Sequence, residues 1–177
     1  MDADTRVREV MIPIDEYPSV RDTDTLRDAI SAIKNGRLEV DGVVSLARNV
    51  LVFDEIAVLV GYVRRRDILV GLEPTYLLRQ PLSYRKKLFD IAADPNLFEL
   101  HYDRVVEGIQ EQSRRPVSDV MRPIETLVDA NDHVVRGAYE LTSNDVALVP
   151  VVDKDKLVGV LRSVDAFRAI VELCDCT

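Results

Sequence analysis

The sequence predicts a mixed α/β (α+β) fold: two β-α-β-β-α repeats packed about a pseudo-twofold axis, with a helical insert between them. Three observations predict it. Residues 59–67, Leu-Val-Gly-Tyr-Val-Arg-Arg-Arg-Asp, recur as residues 157–165, Leu-Val-Gly-Val-Leu-Arg-Ser-Val-Asp. Both copies place a Gly in an apolar run, an Arg three positions later and an Asp three positions after that. Val7 to Ile14 likewise matches Val117 to Ile124, 110 positions on, while the Gly–Asp motifs match 98 positions apart, so the first copy is about twelve residues longer in its middle. Finally, residues 73–115 have no counterpart in a minimal repeat and carry apolar residues at helical spacing. Neither half is large enough for much of a core, so packing the two together is the physically sensible solution.

Size and composition agree with a folded chain. The 177 residues are 47% hydrophobic and 31% charged, the balance of an ordered protein rather than a disordered one. The longest uncharged apolar run, Ile56 to Val63, is far too short to span a bilayer. The charged start, Met1 to Arg6, lacks the apolar core of a signal peptide. The two cysteines, Cys174 and Cys176, provide no disulfide framework, and a cytoplasmic location is expected. A net charge of −8 argues against broad binding to nucleic acid or anionic membrane, which needs a basic face. Of the local basic clusters, Arg85 to Lys87 and Arg114-Arg115 read as solvated surface, whereas Arg64 to Arg66 lies inside the repeated turn.

In chain order, Thr5 is positioned to cap a short helix over Arg6 to Val10, leading into Met11-Ile12-Pro13-Ile14. The capping residues Asp22 to Thr25 precede Leu26, Ala29, Ile30 and Ile33 at helical spacing, and Asn35-Gly36 ends that helix. Residues 37–49 are mixed and read as a helix extension and loop. Val50 to Phe53 is a buried-strand run, Asp54-Glu55 a turn and Ile56 to Val63 a second strand. A helix holding Asp67 then runs to about Gly71-Leu72, before Pro74.

The second half repeats this order. Asn131 is the expected cap of a helix carrying Val134, Val135, Ala138 and Leu141. Val146 to Val152 is a strand whose Pro150 implies an exposed edge or start. Asp153 to Lys156 is the turn and Leu157 to Leu161 the next strand. In the insert, Ser83 to Ala93 places Tyr84, Leu88, Ile91 and Ala92 on one face. Asp94-Pro95 starts a helix to Gln112 with Phe98, Tyr102, Val105, Val106 and Ile109 on one stripe. These stripes are buried against the chain's own core or in a dimer or partner surface; five of the ten Phe and Tyr residues lie here, which suits an interface.

The repeated turn suits an anion, because the first amides of a helix point outward there and its dipole favours negative charge. The chain at this point resembles a known family. Val-x-x-Val-Met-x-Pro, a capped helix with Ala, a strand ending in Val-Asp and Gly-x-x-[Ser/Thr]-x-x-Asp together resemble the CBS domain, named for cystathionine beta-synthase, present as the tandem pair called a Bateman module. The segments 5–72 and 116–173 are the two repeats and 73–115 the helical insert. Met11-Ile12-Pro13-Ile14-Asp15-Glu16-Tyr17-Pro18, the Gly71 to Pro74 exit and the insert also resemble small stand-alone bacterial CBS-pair proteins. The resemblance implies a regulatory module without chemistry of its own, which forms a homodimer and passes its state to a protein partner. It also implies that AMP, ADP, ATP or S-adenosylmethionine binds in clefts between the repeats.

Under that resemblance Asp67 and Asp165 accept hydrogen bonds from ribose hydroxyls. The base lies against Ile12, Pro13 and Ile14, against Arg122, Pro123 and Ile124, and against Leu51, Val52, Pro150 and Val151. A carboxylate suits a vicinal diol, and strand-end backbone can read a purine edge. The chain departs from the pattern at the Ser or Thr that caps the helix and touches phosphate, where it has Arg64 and Arg162. Either the Arg contacts phosphate as a cation, favouring charged nucleotides, or it fills a degenerate cleft and pairs with Asp67 or Asp165. Ser163 is a substitute cap in the second copy, and Tyr62 is expected in the core or an interface.

Other constellations carry little. His101 and His133 lack partners at metal-ligand spacing, and Cys174-x-Cys176 reads as a frayed tail rather than a metal site. The chain has no GxxxxGK[ST], GxSxG or HExxH, so no enzyme is expected.

Overall fold

The structure, a computed structural model, describes residues 4–40, 42–74 and 95–174. Helix α2 (Leu26–Asn35) begins at a reciprocal capping box: the Asp28 amide donates to Thr25 Oγ1 at 3.3 Å, and the Asp28 carboxylate accepts the Thr25 amide at 2.9 Å. The helix buries Leu26, Ala29 and Ile33 against Val50 and Val52 of β5 (Asn49–Phe53) and Val63 of β6 (Leu59–Arg64). Ile30, read as part of that stripe, lies at its margin and is exposed. Helix α3 (Arg65–Gly71) closes the same core with Ile68.

Two four-stranded sheets form. The first runs β2 (Ser19–Arg21), β5, β6, β7 (Arg122–Pro123); the second runs β1 (Ile12–Pro13), β10 (Lys156–Arg162), β9 (Leu148–Asp153), β8 (Val128–Asp129). Within each, the short strand before a helix is parallel to its neighbour and the other pairs are antiparallel. Each repeat lends its leading strand to the other repeat's sheet. Ile12 and Pro13 pair with Val160 and Gly159, and Arg122 and Pro123 pair with Tyr62 and Gly61. The leading helical turns cross over as well. Val7 and Val10 of α1 (Val7–Val10) lie in the second repeat's core with Val134 of α5 (Val134–Ser143) and Ala166 and Ala169 of α6 (Ser163–Leu173). Val117, Val120 and Met121 complete the first repeat's core.

The repeated glycine has its physical reason in this exchange. A Cβ on Gly61 would lie 2.5 Å from the Arg122 carbonyl oxygen, and one on Gly159 would lie 2.6 Å from that of Ile12. Only glycine lets the borrowed strand approach so closely. The helices cover the outer faces, and the inner faces meet in a third cluster of Ile12, Tyr17, Leu38, Ala47, Leu51, Tyr62, Leu148 and Val160. Tyr62 is therefore core, as one of its two expected settings.

Several elements differ from the sequence reading, each for an identifiable reason. Residues 37–49 form a hairpin, β3 (Arg37–Val40) and β4 (Val43–Leu46), with no helix extension. Val40 pairs with Val43, and Gly42 adopts φ +74°, the backbone that a tight hairpin turn demands. The strand expected from Ile56 starts at Leu59. The Asp54 carboxylate holds the Ile56 and Val58 amides, and Ala57 adopts φ +63°, extending the turn.

Pro150 does not mark an edge, since it is buried in β9 at the middle of its sheet; β8 is only two residues long and meets β9 beyond it, at Val151 and Val152. Helix α5 is capped by His133, whose Nδ1 accepts from the Val135 amide, while Asn131 turns back to the Asp129 carboxylate. Val135 faces outward at 51% exposure. Thr5 is not the cap of α1: that position belongs to Arg6, and Thr5 is buried with its carbonyl accepting from the Val134 amide. Ser163 is the first residue of α6 with Arg162 in the cap position, so it does not replace the missing cap.

Helix α4 (Pro95–Gln112) forms as expected, yet its stripe is not packed away: Tyr102 and Ile109 are exposed, and Val105 and Val106 only partly covered. Ser83 to Ala93, Asp94 and the side chains of Phe98 and His101 lie outside the described residues, as does Cys176.

Candidate functional site

Each repeated turn delivers its Arg at the last residue of a strand and its Asp in the first turn of the following helix, three residues on, which brings the two side chains together. In the first repeat Arg64 and Asp67 form a two-pronged pair, with Nε to Oδ2 and Nη2 to Oδ1 both at 2.8 Å. The Asp67 carboxylate also accepts the Arg64 amide at 3.1 Å, keeping one half of a capping box. Arg122, brought in by the borrowed strand β7, donates its Nε to Asp67 Oδ1 at 3.2 Å. Burial works to raise the Asp67 carboxyl, but the Arg64 side-chain and backbone bonds and the Arg122 bond outweigh it and hold the group below its ordinary 3.8. The bond to Asp67 in turn raises Arg64, and Asp145 of the second repeat lies near enough to act on it electrostatically.

The second turn repeats the pair and changes its surroundings. Arg162 Nε reaches Asp165 Oδ2 at 2.6 Å and Nη2 reaches Oδ1 at 2.8 Å. Its Nη1 donates to the Ser45 hydroxyl of the hairpin at 2.9 Å. The Asp165 side chain is 0% exposed and that of Arg162 10%, against 10% for Asp67, 31% for Arg64 and 50% for Arg122. The two turns are thus matched in sequence and unequal in access. Tyr17 lies beside the closed one, and burial pushes its hydroxyl up to about 12 despite the nearby Arg162 charge. The buried Asn49 side chain lies beside that hydroxyl as its hydrogen-bonding neighbour.

The remaining residues read from the sequence divide between two faces. Ile12, Pro13 and Ile14 run beside β10 on the Asp165 side; Arg122, Pro123 and Ile124 run beside β6 on the Asp67 side. Ile12 is buried, Ile14 and Ile124 partly covered, and Pro13 and Pro123 exposed. Leu51 faces the cluster between the sheets. Strand alternation turns the Val52 and Val151 side chains outward into the two helix-covered cores and leaves their backbone at the repeat junction. Pro150 is buried opposite Val160. Arg122, read as a wall for a base, is also a charged partner of Asp67.

Sequence reasoning missed Ser45, Tyr17 and Asp145. The Asp41-Gly42 pair between Val40 and Val43 was the signal for the hairpin that carries Ser45; Asp145 had no comparable local signal. Among the described residues no group of three or more His, Cys, Asp or Glu could hold a metal ion, and no helix is long and apolar enough to cross a membrane.

The family model of the CBS domain matches residues 7–73 and 117–172. No curated protein sequence matches the chain significantly. Among solved structures, the CBS-pair protein CBSX2 from Arabidopsis thaliana aligns over 98% of this chain and 99% of its own at 20% identity, with a TM-score of 0.63. CBSX2 has also been solved in complex with AMP. The CBS domain of a membrane protein from Sphaerobacter thermophilus aligns over 93% of this chain and 87% of its own at 20% identity and a TM-score of 0.63. That of a bacterial CNNM/CorC family Mg2+ transporter, in complex with ATP, aligns over 94% and 87% at 20% identity and 0.60. With two family matches, the borrowed leading strands and the paired sheets all in agreement, the chain belongs to the CBS domain family and carries the domain as a tandem pair.

Proposed function

We propose that this protein is a non-catalytic regulatory module that senses an adenine nucleotide of the AMP, ADP or ATP class in the Asp67 cleft. The observation that carries the reading is the partly open Arg64–Asp67–Arg122 cluster at the junction of the repeats. Arg122 uses only its Nε on Asp67, leaving its outer nitrogens for a phosphate oxygen. A phosphate that draws the guanidiniums away frees the Asp67 carboxylate for the ribose hydroxyls, so diol and anion are recognised by one exchange of partners. The base then lies along Arg122 to Ile124 and the backbone of β5. The AMP and ATP complexes of the two similar proteins support this choice of ligand class.

Calorimetric titration with adenosine, AMP, ADP, ATP and S-adenosylmethionine tests it. Saturable binding of a phosphate-bearing ligand is expected, at least about tenfold weaker in Arg122→Ala, as for loss of one charge-assisted bond, and abolished in Asp67→Ala. Absence of heat or thermal shift with every ligand at millimolar concentration sinks the reading. A second reading, a scaffold with non-binding clefts, is favoured at the other turn by the enclosed Arg162–Asp165 pair. Homodimerisation belongs to the proposal too. Val164 and Phe167 on α6 and Val135 and Tyr139 on α5 form an exposed apolar face on two packed helices, which a second copy would cover; sedimentation at micromolar concentration tests it.

A further inference from the structure

We infer that the β3–β4 hairpin is a tethered lid on the Asp165 cleft, so that the chain has one open cleft and one latent cleft that takes ligand only when the hairpin lifts. The inference rests on the reading of the clefts as ligand sites and adds how access to the second is controlled. The hairpin occupies the stretch by which the first repeat exceeds the second. In the second repeat the corresponding connection is the short turn at Asn144 to Ala147, which has no hairpin, and its Asp145 is near enough to Arg64 to act on that charge.

Two adjacent inward positions of the hairpin, Leu38 and Ser45, are paired across it and do different work. Leu38, 1% exposed, enters the cluster between the sheets beside Ile12, Tyr17, Leu148 and Val160. Ser45 accepts from Arg162 and donates to the Leu38 carbonyl at 3.4 Å, which closes the polar side. The outward positions Val44 and Leu46 are exposed, and among the described residues the hairpin pairs with neither four-stranded sheet. A lone two-stranded hairpin is marginally stable in water, so its docking holds it, and undocking costs much less than unfolding.

Arginine modification by phenylglyoxal, mapped by mass spectrometry on the whole chain without ligand, tests the lid. In the wild-type protein Arg122 is expected to react readily and Arg162 to be protected. Leu38→Ser should raise the Arg162 rate at least about tenfold, the scale that loss of one buried anchor gives in a local opening, with Arg64 and Arg122 unchanged. Ser45→Ala, too mild to threaten folding, should raise it by a smaller factor. Wild-type Arg162 as reactive as Arg122, or a rate indifferent to both substitutions, overturns the lid. Equilibrium dialysis with ATP gives the second readout: one ATP per wild-type chain and two per Leu38→Ser chain are expected, and two per wild-type chain overturns the lid. No ATP on either protein removes the nucleotide reading, while the arginine rates still decide the lid.

Discussion

The unequal burial of the two Arg–Asp pairs has a measurable consequence in stability. Asp165→Ala leaves the Arg162 guanidinium with the Ser45 hydroxyl as its remaining side-chain partner, on a side chain only 10% exposed. Removing one member of a buried pair costs about 3–5 kcal/mol, because the other charge stays desolvated. At roughly 2–4 °C per kcal/mol for a chain of this size, the melting temperature should fall by about 6–20 °C. Asp67→Ala strands two guanidiniums whose side chains are 31% and 50% exposed and can be hydrated where they stand. Loss of that screened pair together with the half capping box should cost only about 1–2 kcal/mol.

Thermal unfolding followed by circular dichroism at pH 7 distinguishes the two. Salt provides a further separation, since at about 1 M the screening length shrinks to ~3 Å and only the accessible pair should lose its contribution. Replacing the enclosed pair by apolar residues, Arg162→Met with Asp165→Leu, should recover most of the loss, because neither charge is then left unmatched. Equal depressions from the two alanine substitutions, or a larger one from Asp67→Ala, would refute the argument from burial.

The borrowed strands and the Asp67 charge give two more expectations. Gly159→Ala places a Cβ 2.6 Å from the Ile12 carbonyl oxygen and 2.7 Å from Met11 Sδ. The methionine can move and the backbone cannot, so β1 should be forced from β10 at a cost of about 1–3 kcal/mol, read by denaturant unfolding; a neutral substitution would show that β1 is not held there. The Asp67 carboxyl lies below its ordinary value in the folded chain, so its contribution is complete above about pH 4 and is lost as the pH falls through the depressed value. The stability difference between wild type and Asp67→Asn should therefore be flat from neutrality to about pH 5 and shrink below about pH 4, as measured by thermal unfolding across that range. A difference that widens on acidification would contradict the sign.

Much of the architecture was legible because it is written in local patterns. Thr25 and Asp28 announce α2, the apolar runs announce β5 and β10, and the doubled Gly-x-x-Arg-x-x-Asp motif marks both helix starts. The misreadings fall where a local signal was read too coarsely or was overruled. Asp41-Gly42 specified a hairpin turn and was passed over in a mixed stretch. Ile56 belongs to a turn organised by one carboxylate, and Pro150 sits centrally because its neighbouring strand is too short to need its amide. The Val52 and Val151 side chains follow strand alternation into the helix-covered cores, so what the two residues offer at the repeat junction is backbone.

By itself, then, the sequence determined the repeat, most of its elements and the nearness of each Arg to its own Asp, with pairing as one of two readings. Three residues across a strand-to-helix junction meet whatever surrounds them, so that nearness is a local fact. Only the tertiary structure decided which repeat's strand lies beside each glycine, that Arg122 joins Asp67, and that Ser45 closes over Arg162. Those contacts join residues 55 and 117 positions apart, and no periodicity or capping rule reaches across such separations. Two turns built on the same Gly-x-x-Arg-x-x-Asp pattern thereby became one open cluster and one enclosed pair, through the partners that packing brings to each.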